Sequence, residues 1–400
     1  MCRAHEAVRE HVKSWLHLRG VGFTEESVEY GFFHRRLCSF NKSQQAKPSV
    51  RAYFIAKCYQ YLKVCSFEEV LDAPEWLHLA TVGEFCITLM YLKNHAQDFK
   101  YGIKANDSLS FSQNQAAQKE IHARLIEYID LHFAFLHKEA MHRLQKRLFA
   151  YYDLGMEIDE DGLSHENYAG NNGFRYPELH NPDIRAIVSV QDFLQSIVSY
   201  RKTKYGVLPQ NMHYLKLYLT RTYLMNAVFF QLFMEYAIDR FGQHLKLYPK
   251  LIAFARYYGM CQQLVNDICD YVPEPDHVPT VAKFQEDTFS DMRRRLVTLP
   301  LILYFSNSSL NGRKDLLNHY SGVSDLNRYL YQSELQEDIL RMLKKAKAIE
   351  HAMSLVCHFS QTFLLQNTLD SNNPATPLMR DMFSSVRSNQ YYKFYKMFLL

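Results

Sequence analysis

The sequence is poor in the residues and patterns that mark several common protein classes. It has only 14 glycines and 12 prolines in 400 residues, and no regular series of short alternating segments joined by hairpin turns. Its eight cysteines form no CxxC pair, and it does not begin with the order of charged, apolar and small residues typical of a signal peptide. These absences predict a helical protein in the reducing cytoplasm.

The chain also has little net charge and lacks long apolar runs. The net charge is only +4, which gives no reason to expect nucleic acid as a partner. No apolar stretch reaches the roughly 18 uncharged residues that a membrane span needs. The chain is nevertheless 48% hydrophobic, with 28 tyrosines and 27 phenylalanines. It can therefore bury a large core, and a large apolar cavity is one place for so many aromatic rings.

Helical periodicity recurs along the whole chain, without an internal repeat. It predicts a single all-α domain over residues 1–400, built from roughly ten or more helices. Residues 1–40 are predicted to be a helical N-terminal extension, and a helix is expected from about Pro74 to Asp98. Loops are predicted at residues 100–118 and, as a longer insertion, at residues 153–183. Further helices are expected at about 184–204, 211–242, 249–272, 291–307, 327–367 and 377–398.

The stretch QQLVNDICDYVPE, residues 262–274, places an amide and two acids within an otherwise apolar run. Apolar side chains fall on one stripe of the predicted helix, and polar side chains without Lys or Arg fall on another. A merely solvated helix face usually carries charges of both signs. The pattern therefore favours a functional face. The apolar stripe consists of Leu251, Ala255, Tyr258, Val265, Ile268 and Val272, and the polar one of Gln263, Asn266, Asp267 and Asp270.

Oxygen-bearing side chains at helical spacing are suited to a hard cation. Mg²⁺ prefers oxygen ligands, typically one or two carboxylates together with substrate phosphates and waters. Asn266 and Asp270, with Asp267 beside them, supply such a face, and Asn94 and Asp98 supply a second one. Two helices facing each other across a cavity could thus hold a metal cluster on a diphosphate.

From about Lys47 to its C-terminus the chain resembles the isoprenoid synthase superfamily, which comprises the trans-prenyl diphosphate synthases and the class I terpene synthases. The second metal motif of the prenyl synthases reads roughly G-x-x-x-Q-x-x-D-D-x-x-D. GMCQQLVNDICD is similar to it, with Asn266 in place of the first acid; the matching residues are Gly259, Gln263, Asp267 and Asp270.

Four further segments resemble family motifs in the right order. Arg221-Thr222 resembles the family's Lys-Thr pair, and DMRRRLVTLP at residues 291–300 resembles the family's D-x-x-x-G-K-x-T-L-P. The G-K-x-x-R-P segment resembles AKPSVRAY through Lys47 and Arg51, and the first metal motif resembles Glu84 followed by NHAQD at residues 94–98. The resemblance implies an all-α bundle around a central apolar cavity.

Several departures from the family pattern bear on activity. Asn94 and His95 stand where two acids are usual, and the Arg-Arg-Gly that follows the first motif in prenyl synthases is missing from FKYGIKAND. The resemblance implies that those arginines bind isopentenyl diphosphate in the prenyl synthases, because Arg offers phosphate two parallel N–H donors. The terpene cyclase pattern N-D-x-x-S-x-x-x-E fits NDICDYVPE at Asn266 and Glu274, with Asp270 in the Ser position.

The resemblance implies a Mg²⁺-dependent class I terpene synthase that ionises a prenyl diphosphate of C10 to C20. The alternatives are a prenyl diphosphate synthase that adds isopentenyl diphosphate, and a non-catalytic regulatory subunit of the same fold. Three magnesium ions are expected with the substrate diphosphate, and a homodimer would accord with the resemblance. The implied catalytic residues are Asp98, Asp267 and Asp270, and the implied metal ligands are Asn94, Asp98, Asn266, Asp267, Asp270 and Glu274. The implied diphosphate-binding residues are Lys47, Arg51, Arg221, Thr222, Gln263, Arg294 and Arg295.

Overall fold

The described part of the chain is built from helices. The computed structural model describes residues 2–18, 50–100, 110–161, 190–205, 212–242, 248–271, 289–293, 296–308, 315–316, 333–366 and 376–377. All regular elements within these ranges are helical, so the predicted all-α class is confirmed. None of the described helices is long and apolar enough to cross a membrane.

The helices of the N-terminal half are mostly long. They are α1 (Cys2–His17), α2 (Val50–Lys63), α3 (Phe67–Asp72), α4 (Pro74–Lys100), α5 (Phe111–His132), α6 (Phe135–Asp161) and α7 (Val190–Tyr205). Those that follow are α8 (Met212–Thr222), a π-helical segment (Tyr223–Ala227), α9 (Val228–Phe241), α10 (Tyr248–Cys269), α11 (Ser290–Arg293), α12 (Leu299–Asn307), α13 (Ser333–Lys345) and α14 (Ala348–Gln366).

Two predicted loops are shorter than expected. Residues 111–118 form the first turns of α5, and residues 153–161 form the last turns of α6. Glycine and polar side chains suggested loops there, but both segments also carry apolar residues that are buried, such as Ala117 and Ile158. Tertiary burial therefore overrides the local signal. The remainder of the predicted insertion, 162–183, and most of the predicted helix 377–398 lie outside the described residues.

Local sequence signals define several helix starts. Ser66 and Glu69 form a capping box at the start of α3, in which each side chain bonds the backbone N–H of the other residue. Ser110 and Gln113 form the same arrangement at α5. The helix α4 begins with Pro74, whose fixed φ and missing N–H suit a first helical position.

The internal contacts of the chain divide it into two units. Unit 1 comprises Met1–Ala150, Phe229–Ala255 and Thr368–Met382, and unit 2 comprises Tyr151–Val228, Arg256–Asn367 and Phe383–Leu400. That the chain forms a single domain stays a prediction from its sequence.

Unit 1 is organised around α4, which packs against α1, α2 and α5. Gly83 permits the close packing, since an added Cβ would lie 3.1 Å from the Ile55 side chain and 3.3 Å from the Phe229 ring. Phe229 stacks on Phe233 with ring centroids 4.4 Å apart. Part of the large aromatic content is thus ordinary core packing.

Unit 2 is organised around α12 and α14, which pack against each other, with α7, α8 and α13 alongside. A buried polar link joins its elements. The fully buried Arg201 donates a hydrogen bond to Asn307 Oδ1 at 2.7 Å, and the Asn307 amide donates to the Ala346 carbonyl at 3.0 Å. Such buried polar contacts fix how neighbouring helices pack within the unit.

A cluster of three histidines and one tyrosine joins α1, α4 and α5 in unit 1. His11 Nε2 and His78 Nδ1 each lie 2.7 Å from the Tyr128 hydroxyl, and the rings of His78 and His132 stack with centroids 4.6 Å apart. Burial lowers the pKa of His78 to about 4, with further lowering from His132 and His11 and an opposing effect of Glu75. Burial, followed by His132, also lowers the pKa of His11. The folded chain therefore favours the neutral forms of His11 and His78.

This cluster predicts that acid destabilises the protein. The ordinary histidine pKa is about 6.5, so between pH 6.5 and about 4 the unfolded chain binds more protons than the folded one, and stability falls as the pH falls. Because His78 is partly exposed, we expect a loss of roughly 1 to 2 kcal/mol between about pH 7.5 and pH 5. Urea unfolding followed by circular dichroism at the two pH values measures it.

The variant His78→Phe is the control for this prediction. It keeps a ring beside His132 but cannot take up a proton, so its urea midpoint should differ less between the two pH values than that of the wild type. Equal pH dependence in both proteins would show that the cluster does not cause the effect.

Candidate functional site

The polar face predicted on α10 meets α8 in a buried cluster of four side chains. Asp267 is the centre of this cluster and is fully buried. Tyr218 donates a hydrogen bond to Asp267 Oδ2 at 2.7 Å, and Gln263 donates to Asp267 Oδ1 at 2.6 Å. The Arg221 Nη1 atom lies 3.7 Å from Oδ2, within ion-pair distance. We call Tyr218, Arg221, Gln263 and Asp267 the Asp267 cluster.

Burial dominates the electrostatics of this cluster. It raises the pKa of Asp267 well above its ordinary value, while the positive charge of Arg221 and the hydrogen bonds from Tyr218 and Gln263 act in the opposite direction. The carboxyl of Asp291 adds to the rise. Burial also raises the pKa of Tyr218, so this hydroxyl stays protonated and can donate a hydrogen bond to Asp267. Arg221 is only 5% exposed and is the cation that offsets these acids.

Two further acids follow the cluster along the chain. Asp270 is fully buried, and its Oδ2 accepts a hydrogen bond from the backbone N–H of Asp291 at 3.0 Å. The backbone N–H of Phe289 donates to the carbonyl of Asp270 at 2.7 Å. Phe289 has a φ of 58°, in the left-handed region that a bulky residue adopts at a cost of about 1 to 2 kcal/mol. The strained turn brings Asp291 back to the end of α10.

The π-helical segment is held against α10 by a separate contact. The amide of the buried Asn226 donates to the carbonyl of Gly259 at 2.7 Å. Gly155 of α6 lies close to this segment, since an added Cβ would lie 2.5 Å from Met225 Cγ and 3.2 Å from Leu224 Cβ. Asn226 thus lies within a π-helical segment, and such single π-helical turns are often found at functional sites.

The structure brings together some of the predicted site residues and not others. Gln263 donates a hydrogen bond to Asp267, and Arg221 lies within ion-pair distance of the same carboxyl. Thr222 of α8 is fully buried. On α10, Asp267 is fully buried, whereas its neighbour Asn266 is exposed. The polar stripe predicted on α10 therefore has a buried part and an exposed part.

The segment predicted as the first metal motif lies in unit 1, at the C-terminal end of α4. Asn94 is half-buried there, and Asp98 lies in the same helix but its side chain is outside the description. Arg51 of α2 lies over the rings of Phe229 and Phe230, with its guanidinium carbon 5.7 and 6.0 Å from their centroids. Arg51 is thus a half-buried cation on aromatic faces rather than a solvated surface charge. Four predicted site residues lie outside the described residues, namely Lys47, Glu274, Arg294 and Arg295.

Sequence reasoning missed two residues of this site. Tyr218 lies three positions before Arg221, a spacing that places both on one face of α8, but a tyrosine in an apolar run resembles ordinary core. Asn226 was missed because a single amide within an apolar helical run gives no sequence signal of its contact with a distant helix. The helical spacing from Arg221 could have found Tyr218.

The carboxyl oxygens of Asp270 and Asp291 are ligands of the type that a hard cation prefers, although they form no complete metal site by themselves. Within the described ranges no group of three His, Cys, Asp or Glu side chains is arranged to hold a metal ion. Mg²⁺ needs only one or two protein carboxylates when phosphates and waters complete its shell. Asp291 Oδ2 is buried and has no hydrogen-bond partner among the described residues, and the backbone N–H of the same residue bonds the Asp270 carboxyl. An oxygen atom of this kind fits an additional ligand.

Comparison with known proteins gives weak sequence similarity and clear structural similarity. No protein-family model matches the chain. Heptaprenyl diphosphate synthase component 2 of Bacillus subtilis (strain 168) is 27% identical over 169 residues, which cover 42% of this chain and 43% of that protein. The match thus spans less than half of the relative's length.

The solved structures that resemble this chain are polyprenyl synthases. The heptaprenyl diphosphate synthase of Staphylococcus aureus has a TM-score of 0.59 at 14% identity, covering 96% of both chains. The geranylgeranyl pyrophosphate synthase of Lactobacillus brevis ATCC 367 has a TM-score of 0.58 at 12% identity, also over 96% of this chain. The polyprenyl synthase of Caulobacter crescentus CB15, complexed with calcium and isoprenyl diphosphate, has a TM-score of 0.55 at 13% identity over 85% of both chains. At these identities the likeness shows the fold.

Proposed function

We propose that this chain, which has the all-α fold of the isoprenoid synthases, binds an allylic prenyl diphosphate and ionises it with loss of diphosphate. The observation that carries the proposal is the buried pair of Arg221 and Asp267. It lies where the family resemblance expects a cation beside the second acidic motif. The match to structures of prenyl diphosphate synthases supports the same substrate class.

The proposal gives each described residue of the site a physical role. The guanidinium of Arg221 would offset the negative charge that grows on the diphosphate as the carbon–oxygen bond breaks, and it presents paired N–H donors that suit phosphate. Asp267 and Tyr218 would hold Arg221 in one orientation. In a largely buried site these fixed charges act more strongly than in water. Arg294 and Arg295 remain proposed diphosphate ligands.

Magnesium is the proposed cofactor. Asp270 and Asp291 would hold it together with diphosphate oxygens, and Asn266 could add its amide oxygen. Bound there, the ion would neutralise charge on the leaving diphosphate. Asn94, Asp98 and Glu274 remain proposed ligands, as does the use of three ions. The calcium and isoprenyl diphosphate bound to the Caulobacter crescentus synthase support this type of site.

Two fates of the resulting carbocation are open to this fold. Cyclisation or rearrangement needs one substrate, whereas chain elongation needs a second pocket for isopentenyl diphosphate. The missing Arg-Arg-Gly favours the single-substrate reaction of a terpene synthase. The solved neighbours, which are prenyl diphosphate synthases, favour elongation, with Lys47 and Arg51 as proposed ligands of the second diphosphate.

A non-catalytic subunit of the same fold is the second candidate. Both carboxylate oxygens of Asp267 already accept hydrogen bonds from protein side chains. This acid would then stabilise the fold and would not bind a ligand. The Bacillus subtilis relative is by its name one component of a synthase. In this case the chain would act on a catalytic partner, and a homodimer is the alternative assembly.

Product analysis tests these functions. We expect purified protein with Mg²⁺ and geranyl, farnesyl or geranylgeranyl diphosphate to release inorganic pyrophosphate and form a hydrocarbon without isopentenyl diphosphate. Chelation of the metal with EDTA should stop the release, because the diphosphate charge is then no longer neutralised. Gas chromatography with mass spectrometry identifies the hydrocarbon, and a coupled phosphate assay measures the release.

The other outcomes separate the remaining candidates. Longer prenyl diphosphates formed only when isopentenyl diphosphate is present would establish chain elongation. Absence of turnover with every substrate, in a protein whose circular dichroism shows it to be folded, would contradict the enzymatic proposal and favour the non-catalytic subunit.

A further inference from the structure

The Asp267 cluster gives its central carboxylate an unusual environment for a residue predicted to bind metal. Each oxygen of Asp267 already accepts a short hydrogen bond, from Tyr218 on Oδ2 and from Gln263 on Oδ1. The side chain is fully buried, and the oxygen that faces Tyr218 also faces Arg221. Direct metal ligation at about 2.0–2.1 Å would have to compete with these donors.

We infer that Asp267 anchors Arg221 instead of binding magnesium directly, and that Tyr218 is the positioning residue that orients this anchor. This assignment rests on the proposed function and deepens it, because it names the residues that would bind diphosphate without a metal ion. It removes Asp267 from the predicted metal ligands, whereas Asp270 and Asp291 keep the metal-binding role proposed above.

The spacing along α8 explains why Tyr218 can serve this purpose. Tyr218 and Arg221 are three residues apart on one helix, so both side chains reach the same carboxylate on α10. The hydroxyl of Tyr218 fixes the position of Oδ2, and that oxygen is the one nearest to the guanidinium. Loss of the hydroxyl would allow the carboxylate to rotate and Arg221 to shift with it.

A second contact fixes the two helices relative to each other. The amide of Asn226, within the π-helical segment that follows α8, donates to the Gly259 carbonyl of α10 at 2.7 Å. The backbone frame around Tyr218 and Asp267 is therefore held independently of their own hydrogen bond. Removal of the Tyr218 hydroxyl should accordingly change the orientation of Asp267 without separating the helices.

Pyrophosphate binding distinguishes an anchor from a metal ligand. Isothermal titration calorimetry of the full chain with inorganic pyrophosphate, in Mg²⁺ and in EDTA, gives two affinities for each variant. For Tyr218→Phe and Asp267→Asn we expect affinity to fall about tenfold, by a similar factor in both conditions, because Arg221 contacts the anion with or without metal. If Asp267 ligates magnesium, Asp267→Asn should lose affinity in Mg²⁺ alone.

Tyr128→Phe is the matched control, because it also removes a buried tyrosine hydroxyl with hydrogen-bond partners, but in unit 1. It should bind pyrophosphate as the wild type does, and circular dichroism should show that all variants are folded. Unchanged affinity in Tyr218→Phe, a loss in Asp267→Asn confined to Mg²⁺, or no pyrophosphate binding by the wild type in EDTA would each overturn the inference. A wild type that binds pyrophosphate but turns over no prenyl diphosphate would contradict the proposed enzyme and leave the inference supported.

Discussion

Replacement of Asp267 by Ala is expected to lower the free energy of unfolding by about 3 to 5 kcal/mol. The reason is the environment of Arg221, which is 5% exposed and has Asp267 at 3.7 Å as its counter-charge. Without the carboxylate the guanidinium stays buried with its charge uncompensated, and the hydrogen bonds from Tyr218 and Gln263 are lost as well. Urea unfolding of the wild type and the variant, followed by circular dichroism, measures the difference.

The double variant Asp267→Ala with Arg221→Met is the control for this effect. It removes both charges and fills the space of the arginine stem with an apolar side chain, and replacement of a whole buried pair is often neutral or stabilising. We expect it to be more stable than Asp267→Ala alone. A double variant that is as unstable as the single variant would show that the lost stability comes from packing rather than from the ion pair.

Replacement of Arg221 by Gln is expected to reduce pyrophosphate release from a prenyl diphosphate roughly a hundredfold to a thousandfold. Gln retains a donor toward Asp267 but carries no charge, so nothing at this position offsets the charge that develops on the leaving group. The measurement is the initial rate of pyrophosphate release at saturating and at low substrate, in the presence of Mg²⁺. A fall in kcat greater than the rise in KM would indicate that Arg221 acts mainly in the transition state.

Arg256→Gln is the matched control. Arg256 lies on α10 and pairs with Asp192 at 3.2 Å, so the variant removes the same charge from the same unit without touching the Asp267 cluster. We expect its rate of pyrophosphate release to equal that of the wild type. Full activity in Arg221→Gln, or an equal loss in both variants, would contradict the role given to Arg221.

The helical architecture was largely predictable from local signals. The apolar stripe on α10 is buried at Leu251, Ala255 and Tyr258, and α4 begins at Pro74 as expected. The isoprenoid synthase fold implied by the motifs is confirmed by the solved structures. Periodicity and helix-start residues report on the nearest few neighbours along the chain, which is enough to define a helix.

The sequence indicated which residues to consider for a site but not how they are arranged, and their roles stay predictions. Arg221, Gln263 and Asp267 were identified from their order along the chain, and they meet. The sequence did not distinguish the exposed Asn266 from the fully buried Asp267 and Asp270, because all three lie on one predicted stripe. Burial depends on which neighbouring helix covers each side chain, and a single helix does not contain that information.

The sequence by itself determined the helices, the order of the acidic and basic motifs and the fold class, because these depend on periodicity and on residue types at fixed spacing. Only the tertiary structure decided that Asp267 is enclosed by Tyr218, Gln263 and Arg221, and that the strained turn at Phe289 brings Asp291 to Asp270. The physical reason is that hydrogen bonds and ion pairs depend on distances between helices far apart in sequence. Those distances are set by packing within the unit.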